Sequence, residues 1–542
     1  MPMLRLLGLL WCAAGVAAAA QPIRRGPYLQ APSHNAVTIL WRTAMAGTTR
    51  LWLGPHPDSL TLHTGQGSIV SNEHRVRLTG LQPATTYYYA VGNHQGMLAG
   101  GDAAHRFRTF PPAGSTDTVR VWALGDFGKG NPQQVAVKQA FEAHPDARRT
   151  DAWIWLGDNV YNEGLLSEYD EKVFALEGFS DIFSWLPFFP APGNHDYVEV
   201  WRRSALLGIP YSNIPLDDHE GPYYDLFEMP GQGECGGFPS GHELFYSFDL
   251  GDAHFISLNS EVYDLLGTSD GIDAMVEWLQ QDLAANSRRF TIAYLHQPPY
   301  SKGSHDSDNW AERVMIAMRE RVIPVLEAFD VDLVLGGHSH VYERSHLIHG
   351  HYGPSSTFDP GAMLRDGSGG HPLSPYVKDT LAGTPDGTVY VVCGNGGASE
   401  GGSPLDHPVM AAADGGSGVC GSFLIELVGD RLTGTYLKGD GSVGDRFALR
   451  KGQPAVAMGE AGPKGVVGAY PNPAKDVLHV TYTGAGPPVQ YRLLDETGRT
   501  VRSGRVTAPR ITIDILDLAP GAYELMVEES THREVRRIVV ER

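Results

Sequence analysis

The pattern of apolar and polar residues changes twice along the chain. Residues 21–112 contain short, partly alternating runs such as AVTILWRT, TRLWLG and HRFRTF, with a Gly/Pro turn before the tyrosine-rich run of LTGLQPATTYYYAVG. Alternation with a period of two is typical of half-buried strands, and turn residues between the runs indicate short connections. This part of the chain is predicted to be an all-β sandwich.

Residues 113–452 have a different pattern, in which short apolar runs alternate with helix-like segments such as GIDAMVEWLQQDLAANS and AERVMIAMRERVIPVLEAF. Strands that alternate with helices are typical of a layered α/β domain. Residues 453–466 are rich in Gly, Pro and Ala and predict a linker. Residues 467–542 alternate again, as in VLHVTYTG and GAYELMVEE, and predict a small β-sandwich.

The length of 542 residues fits about three or four domains. The first twenty residues contain Arg5, an apolar stretch and Ala18–Ala20 before Gln21, which predicts a secretory signal peptide over residues 1–20. The alternative is an N-terminal membrane anchor, for which the apolar run is short. No other stretch is long enough to cross a bilayer, so a secreted or outer-surface protein without a transmembrane span in its mature chain is expected.

Composition narrows the range of partners. With 42 basic and 62 acidic residues the formal net charge is −20. Nucleic acids and anionic membranes are bound through basic patches, so no nucleic-acid binding is expected. An anionic substrate would need local compensation of its charge, for example by metal ions. Secretion permits a disulfide. After removal of the signal peptide three cysteines remain, and Cys393–Cys420 is the expected pair, which leaves Cys235 unpaired.

Polar residues follow the apolar runs of the central domain. VRVWALGDFG, AWIWLGDNVY, LPFFPAPGNHD, FTIAYLHQPPY and VDLVLGGHSHVYER each end in, or lead into, Asp, Asn or His. In open α/β sheets, ligands bind where strands end at their carboxyl edge, and glycine there leaves room for a bound group. The residues supplied in this way are Asp126, Asp158, Tyr161, Asn194, His195, His296, His338 and His340.

The chemistry of these side chains indicates metal binding. Oxygen and imidazole ligands suit first-row metals. Six of these residues supply two carboxylates, one amide and three imidazoles, which exceed what one tetrahedral zinc ion needs: Asp126, Asp158, Asn194, His296, His338 and His340. Two metal ions that share a bridging carboxylate fit the set. A single Gly-Asp turn would mean little, but the ordered set is specific. By contrast, GNGGASEGG (394–402) lacks the ending of a nucleotide P-loop and is predicted to be a rim loop.

The ordered motifs resemble those of the metallophosphoesterases and, within them, the purple acid phosphatases. RGPYLQ near the start and GHSHVYERS late in the central domain extend the resemblance over nearly all of residues 21–452. It implies a fibronectin type III-like N-terminal domain over 21–112. It also implies a catalytic domain with an αββα layered sandwich over 113–452.

The resemblance also implies roles for individual residues. Asp126, Asp158, Tyr161 and His340 match the ligands of an iron(III) ion, with Tyr161 as a phenolate. Asp158, Asn194, His296 and His338 match the ligands of a divalent iron, zinc or manganese ion, with Asp158 as the bridge. The implied reaction is hydrolysis of small phosphate monoesters through attack of a metal-bound hydroxide, as in an acid phosphatase.

The residue that protonates the leaving group stays open. His195 and His305 match substrate-contacting histidines of the family, and either could donate the proton. Plant members carry His-His where this chain has His305-Asp306. Asp306 could contribute only with a raised pKa, and otherwise it is a solvated loop acid.

Residues 467–542 indicate a partner of the protein. YPNPAKDVLHV, LLDETGRTV and LAPGAYELMVEE resemble the type A sorting domain of the type IX secretion system, which implies contact with that machinery and export across an outer membrane. From the residues alone, a carbohydrate-binding module fits equally well. Two other functions stay open: a phosphodiesterase or nucleotide-hydrolysing phosphoesterase on the same site, and a surface binding protein with a vestigial metal site. The second would need broken ligands, whereas all seven matched positions are intact.

Overall fold

A computed structural model describes the chain from residue 22 to residue 541. The parts within that range that it does not describe are residues 176, 209–215, 217–218, 263–269, 368–369, 371, 373, 379–384, 401–403, 453–466, 471–473, 483–488, 496–497, 507–509 and 530–531. The predicted signal peptide and the predicted linker therefore lie outside the described residues. Within them, no helix combines the length and the apolar character that crossing a membrane requires.

The N-terminal part is a β domain built around one long strand. β2 pairs antiparallel with β1 through its first half and with β4 through its second half, and a register shift separates the two halves. Apolar residues on one side of these strands, including Ile39, Trp41, Leu51 and Tyr89, form the domain's own core. The strands are β1 Ile23–Gln30, β2 Val37–Gly54, β3 Thr61–Leu78, β4 Thr86–Asn93, β5 Gly96–Gly100 and β6 Arg106–Arg108.

The central part contains two sheets of seven strands each. The first has the order β17-β22-β21-β20-β7-β8-β9, and the second has the order β10-β11-β12-β13-β18-β14-β19. The strands are β7 Val119–Leu124, β8 Ala152–Leu156, β9 Phe188–Ala191, β10 Tyr246–Leu250, β11 Ala253–Ser257, β12 Phe290–Tyr294, β13 Leu333–Gly336, β14 Tyr342–Ser345, β15 Leu347–Ile348, β16 Leu364–Asp366, β17 Tyr376–Lys378, β18 Val389–Cys393, β19 Met410–Asp414, β20 Gly421–Val428, β21 Arg431–Lys438 and β22 Val443–Lys451. β15 and β16 form a separate pair.

Alternation along the second sheet explains the layering. Successive residues of a strand point to opposite faces. Leu333 and Leu335 of β13 pack in the core shared with the first sheet, whereas Val334 between them packs with the helices. On the far side of the first sheet, Trp122 stacks on Phe141. The helices are α1 Pro132–Ala143, α2 Leu166–Glu168, α3 Ser180–Phe183, α4 Val198–Leu207, α5 Pro222–Leu226, α6 Asp270–Ala285, α7 Arg313–Ala317, α8 Ile323–Ala328 and α9 Pro360–Met363.

The C-terminal part consists of two small sheets. β23-β24-β27 form one and β26-β25-β28-β29 the other. Leu478, Leu493, Leu525 and Ile538 belong to a core that these strands share. The strands are β23 Val467–Tyr470, β24 Val477–Tyr482, β25 Val489–Leu494, β26 Thr500–Val506, β27 Arg510–Asp514, β28 Gly521–Glu529 and β29 His532–Val540. The multidomain fold expected from the sequence, with β units on either side of a layered α/β domain, is thus confirmed.

The expected disulfide is wrong. Cys393 and Cys420 are both free and buried, as is Cys235. Cys393 ends β18 in the second central sheet, whereas Cys420 precedes β20 in the first, so their backbones belong to different layers. Burial raises the pKa of the Cys393 thiol, and a thiol kept protonated in this way is unreactive.

Candidate metal centre

The predicted ligands converge because parallel strands end at one edge of each sheet. β7, β8 and β9 run parallel in the first sheet, and β12 and β13 run parallel in the second. Asp126, Asp158, His296 and His338 each lie two residues beyond the last residue of their strand, which is β7, β8, β12 and β13 respectively. Because all four residues follow their strands by the same distance, their polar side chains lie where the carboxyl edges of the two central sheets meet.

The backbone at these positions is strained. Asp126, Asp158 and His338 have φ values of +57°, +48° and +64°, a region that residues with a Cβ atom seldom adopt. Such strain persists where the surrounding structure enforces it, and it is concentrated at functional sites. Gly157 also has a positive φ of +84°, and a Cβ atom there would lie 2.5 Å from Nδ1 of His296. Glycine at position 157 therefore allows His296 to approach Asp158.

Three of the predicted ligands are buried and lie at the centre of the site. One ligand atom from each of Asp126, Asp158 and His296 lies within 4.8 Å of the others. Their exposed fractions are 0%, 2% and 0%. Among the residues that the structure describes, no lysine or arginine forms an ion pair with either carboxylate. Buried carboxylates are normally paired or coordinate metals, so this donor set fits the binding of metal cations.

Asp158 lies in contact with two histidines of the site. His195 donates its backbone N–H to Oδ1 of Asp158 at 2.8 Å, and Nε2 of His296 lies 3.2 Å from the same oxygen. Burial opposes ionisation of Asp158, but the charge and hydrogen bond of His296, and then His195, outweigh it and hold the pKa below its usual range. Oδ1 of Asn194 lies 3.1 Å from Nε2 of His296, so the predicted amide ligand reaches the same place.

Tyr161 joins the other side of the cluster. Its hydroxyl donates to Oδ1 of Asp126 at 2.9 Å and lies 3.3 Å from Nε2 of His340. Nε2 of His340 is in turn 3.4 Å from Oδ1 of Asp126. Burial, and then the charges of Asp126 and Asp158, raise the pKa of Tyr161, so a phenolate here would need nearby positive charge. Each of Asp126, Tyr161 and His340 thus contacts the other two.

His338 belongs to a second group of ligand atoms, with His305 and Glu312. Nδ1 of His305 lies 2.7 Å from one oxygen of Glu312, and Nε2 of His338 lies 3.3 Å from the other. The ring of His338 also packs 5.0 Å from that of His296, which links the two groups. Glu312 was not among the residues predicted from the sequence, because it precedes α7 in a segment whose only signal is helical periodicity.

The remaining predicted residues lie in different surroundings. Nδ1 of His195 is 2.6 Å from the carbonyl oxygen of Asn162, which can only accept, so this nitrogen carries the proton and Nε2 is free. Nε2 of His195 lies 3.8 Å from Asp158. Asp306 instead pairs with Lys302 at 2.8 Å, and its side chain is 43% exposed. The structure therefore brings His195 and His305 to the ligand groups and directs the Asp306 carboxylate to Lys302.

Two further carboxylates support the site. Asp196, from the motif GNHD, accepts hydrogen bonds from the backbone N–H groups of Gly193 and Asn159 at 2.9 and 3.2 Å, and so fixes two ligand loops to each other. Burial, and then Asp158, raise the pKa of Asp196 to about 7. Glu400, from the rim loop 394–402, lies 3.2 Å from Nδ1 of His340. The motif signalled Asp196, but nothing in the sequence connected Glu400 with His340.

Comparison with known protein families gives three matches along the chain. Residues 26–109 match the N-terminal domain of purple acid phosphatases, and residues 119–342 match the calcineurin-like phosphoesterases. Residues 468–541 match the secretion system C-terminal sorting domain. The three segments correspond to the N-terminal β domain, to the part of the central domain that contains the predicted ligands, and to the C-terminal sheets.

Individual relatives give the same picture. Acid phosphatase type 7 of Mus musculus is 28% identical over 346 residues, which are 60% of this chain and 64% of that protein. Purple acid phosphatase 15 of Arabidopsis thaliana is 27% identical over 60% of this chain and 54% of its own. The chain thus spans between about half and two thirds of these relatives. A purple acid phosphatase from yellow lupin (Lupinus luteus) seeds shares the fold, with a TM-score of 0.59, 19% identity and coverage of 80% of this chain and 75% of its own.

Proposed function

Because the chain is a purple acid phosphatase-like metallophosphoesterase with a C-terminal secretion sorting domain, we propose that it hydrolyses small phosphate monoesters at a binuclear metal centre. The observation that carries the proposal is the contact among Tyr161, Asp126 and His340. A phenol within hydrogen-bonding distance of a carboxylate and an imidazole is the arrangement that an iron(III)–phenolate site requires. A tyrosine ligand at this position distinguishes purple acid phosphatases from the other metallophosphoesterases, which have none.

The ligand assignment follows the two sides of the cluster. Asp126, Tyr161 and His340 would hold iron(III), and Asn194, His296 and His338 would hold a divalent iron, zinc or manganese ion. Asp158 lies between the two sets and would bridge them. Two such ions, when bound, supply an acidified water and a positive clamp for the phosphate oxygens. The surrounding structure enforces the strained backbone at Asp126 and Asp158, so the positions of both carboxylates would be set before ions bind.

The side chains around this centre handle the substrate and its proton. His195 and His305 both have Nδ1 occupied, by the carbonyl of Asn162 and by Glu312 respectively. Each therefore presents Nε2 as its free nitrogen. The carboxylate that contacts Nδ1 of His305 also contacts His338, so the His305 ring is held within the second group of ligand atoms. His305 is accordingly the proposed general acid, which protonates the leaving oxygen, and His195 is the proposed phosphate-binding residue. Asp306, paired with Lys302, has no part in this scheme.

The sorting domain indicates secretion or a cell-surface location. We propose that residues 467–542 engage the type IX secretion machinery and that the catalytic unit acts outside the cell. The formal net charge of −20 disfavours phosphate-rich polymers and leaves small phosphate esters as the proposed substrates.

The test is a paired assay on the purified chain loaded with iron and zinc. It compares kcat/KM for an aryl phosphate monoester with kcat/KM for the matching diester. We expect a preference for the monoester, because both metal ions and His305 act best on a doubly charged phosphate with one leaving group. Preference for the diester would overturn the monoesterase proposal and would favour the phosphodiesterase alternative on the same ligands.

Two aspartate variants complete the assay. Asp158→Asn removes the proposed bridge and should lose at least 100-fold in kcat/KM, since it weakens both ion sites. Asp151→Asn changes another buried aspartate, which lies at the opposite end of β8, and should retain activity. Equal loss in both variants would attribute the effect to folding, and full activity of Asp158→Asn would contradict the metal-centre assignment.

A further inference from the structure

A lysine lies over the ring of the predicted phenolate ligand. Lys129 is three residues beyond Asp126 in the loop that follows β7, and its Nζ is 3.8 Å from the centroid of the Tyr161 ring. Among the described residues, no carboxylate forms an ion pair with this ammonium group. Lys129 is thus an unpaired cation, fixed against one residue of the site.

This position is unexpected on electrostatic grounds. The chain has an excess of twenty acidic residues, and the carboxylates of Asp126 and Asp158 lie in the same site. A lysine in such surroundings would normally pair with a carboxylate. Instead, the ammonium group of Lys129 lies over the face of the Tyr161 ring, within the range of a cation–π interaction. The attraction increases when the phenol becomes a phenolate, because the ring then carries negative charge.

We propose that Lys129 is a positioning residue that tunes Tyr161 electrostatically as a ligand of iron(III). The inference rests on the proposed function, which assigns Tyr161 to iron. A metal ion is bound through the phenol oxygen, whereas the ammonium lies over the ring, so the charge of Lys129 acts more strongly on the phenolate electrons than on the ion. Lys129 lowers the energy of those electrons, makes the phenolate a weaker donor and raises the iron(III)/iron(II) potential.

The test uses the full chain loaded with iron and zinc and measures its visible spectrum. Phenolate bound to iron(III) gives a charge-transfer band, whose energy is the gap between phenolate donor and iron acceptor. We compare wild type with Lys129→Met and Lys129→Gln, which remove the charge, and with Lys129→Arg, which keeps it. Lys475→Met, at an exposed position just before β24, removes one positive charge elsewhere and serves as the control.

The neutral variants should move the band to longer wavelength by roughly 20 nm, the size expected for one unit charge at an effective dielectric constant of about 20. Their iron(III)/iron(II) potential should fall. Lys129→Arg and Lys475→Met should keep the wild-type maximum. Two neutral variants are used so that poor folding of one does not decide the result.

The outcomes separate this inference from the proposed function. A wild-type protein that binds iron but shows no charge-transfer band would overturn the assignment of Tyr161 to iron, and the tuning role with it. A normal band in wild type that does not move in either neutral variant would overturn the tuning role alone. A higher KM for phosphate esters with an unmoved band would have the same effect, because it would place the ammonium on the substrate.

Discussion

Nδ1 of His305 lies 2.7 Å from the carboxylate of Glu312. The other oxygen of the same carboxylate is 3.3 Å from Nε2 of His338, so one acid connects the proposed general acid with a proposed metal ligand. Burial opposes ionisation of Glu312, but hydrogen bonds from His305 and His338 outweigh it and hold its pKa well below the usual range. Glu312 is therefore ionised across the range in which the enzyme is assayed.

Replacing Glu312 with Gln should impair both histidines while preserving shape. Outer carboxylates that orient metal-binding histidines typically contribute 10–100-fold to metal affinity or activity. We expect a fall of about that size in kcat/KM for Glu312→Gln, and weaker retention of the divalent ion, measured by metal analysis after dialysis. Glu277→Gln, an exposed change on α6, is the control. Unchanged activity and metal content would show that Glu312 has only a structural role.

The two candidates for proton donation at the His305-Asp306 pair can be separated by leaving group. A general acid matters most when the leaving oxygen is basic, and such catalysis typically contributes 10²–10⁴-fold. His305→Ala should therefore lose about 100-fold or more in kcat on an alkyl phosphate and much less on a nitrophenyl phosphate. The measurement is the ratio of kcat values for the two substrates.

Asp306→Asn is the matched variant, one residue away. The Asp306 carboxylate pairs with Lys302 and is 43% exposed. Its removal should therefore leave the ratio of kcat values for the two substrates near that of wild type. Equal losses on both substrates in His305→Ala would assign His305 to phosphate binding instead. A leaving-group effect confined to Asp306→Asn would transfer the acid role to the aspartate.

The reduced state of the cysteines gives a simple test of the fold. Because Cys235, Cys393 and Cys420 are free, a thiol reagent should titrate three thiols in denaturant in the chain without residues 1–20, which contain Cys12. It should titrate few or none in the native chain, where burial excludes the reagent. The expected outcome is also an unchanged electrophoretic mobility on reduction. If only one thiol reacted in denaturant, two cysteines would be paired, and the Cys393–Cys420 disulfide would again be the expected pair.

Much of the site could be predicted because its signals are local. Each apolar run marks a buried strand, and the residues that follow it must lie at the sheet edge. For this reason Asp126, Asp158, His296 and His338 could be placed at one site from sequence spacing. The assignment of individual ligands to one ion or the other depended on the resemblance to a family and stays a prediction.

The contacts that could not be predicted join parts of the chain with no shared motif. Glu312 reaches His305 and His338 from the turn before a helix, where an acid ordinarily faces solvent. Lys129 follows Asp126 closely, yet its partner is the ring of Tyr161. The cysteine pairing failed because nearness in the sequence-defined domain does not specify which of two sheets a residue joins. Side-chain direction, which sequence does not encode locally, decided the contacts of Glu312 and Lys129, and the order of strands in the two sheets decided the fate of the cysteines.

A buried ion cluster away from the metal centre makes stability depend on pH. His254 lies between Asp249 and Asp282, at 2.8 Å from each, and the second of these belongs to α6. Burial lowers the pKa of His254, but hydrogen bonds with the two carboxylates outweigh it and raise the pKa from 6.5 to about 9. A histidine with a raised pKa in the folded state stabilises the protein fully below its unfolded value. That contribution is lost as the pH rises through about 9.

The prediction concerns the difference between wild type and His254→Gln. Since the shift from 6.5 to about 9 corresponds to about 3 kcal/mol, the difference in free energy of unfolding should shrink by up to that amount between about pH 6 and about pH 10. Urea unfolding followed by tryptophan fluorescence at several pH values provides the measurement. Asp440→Asn removes an exposed carboxylate outside the cluster and should give a pH-independent difference from wild type. If the His254→Gln difference were equally constant, His254 would be neutral in the folded protein, and the cluster would hold α6 to the sheet through uncharged hydrogen bonds.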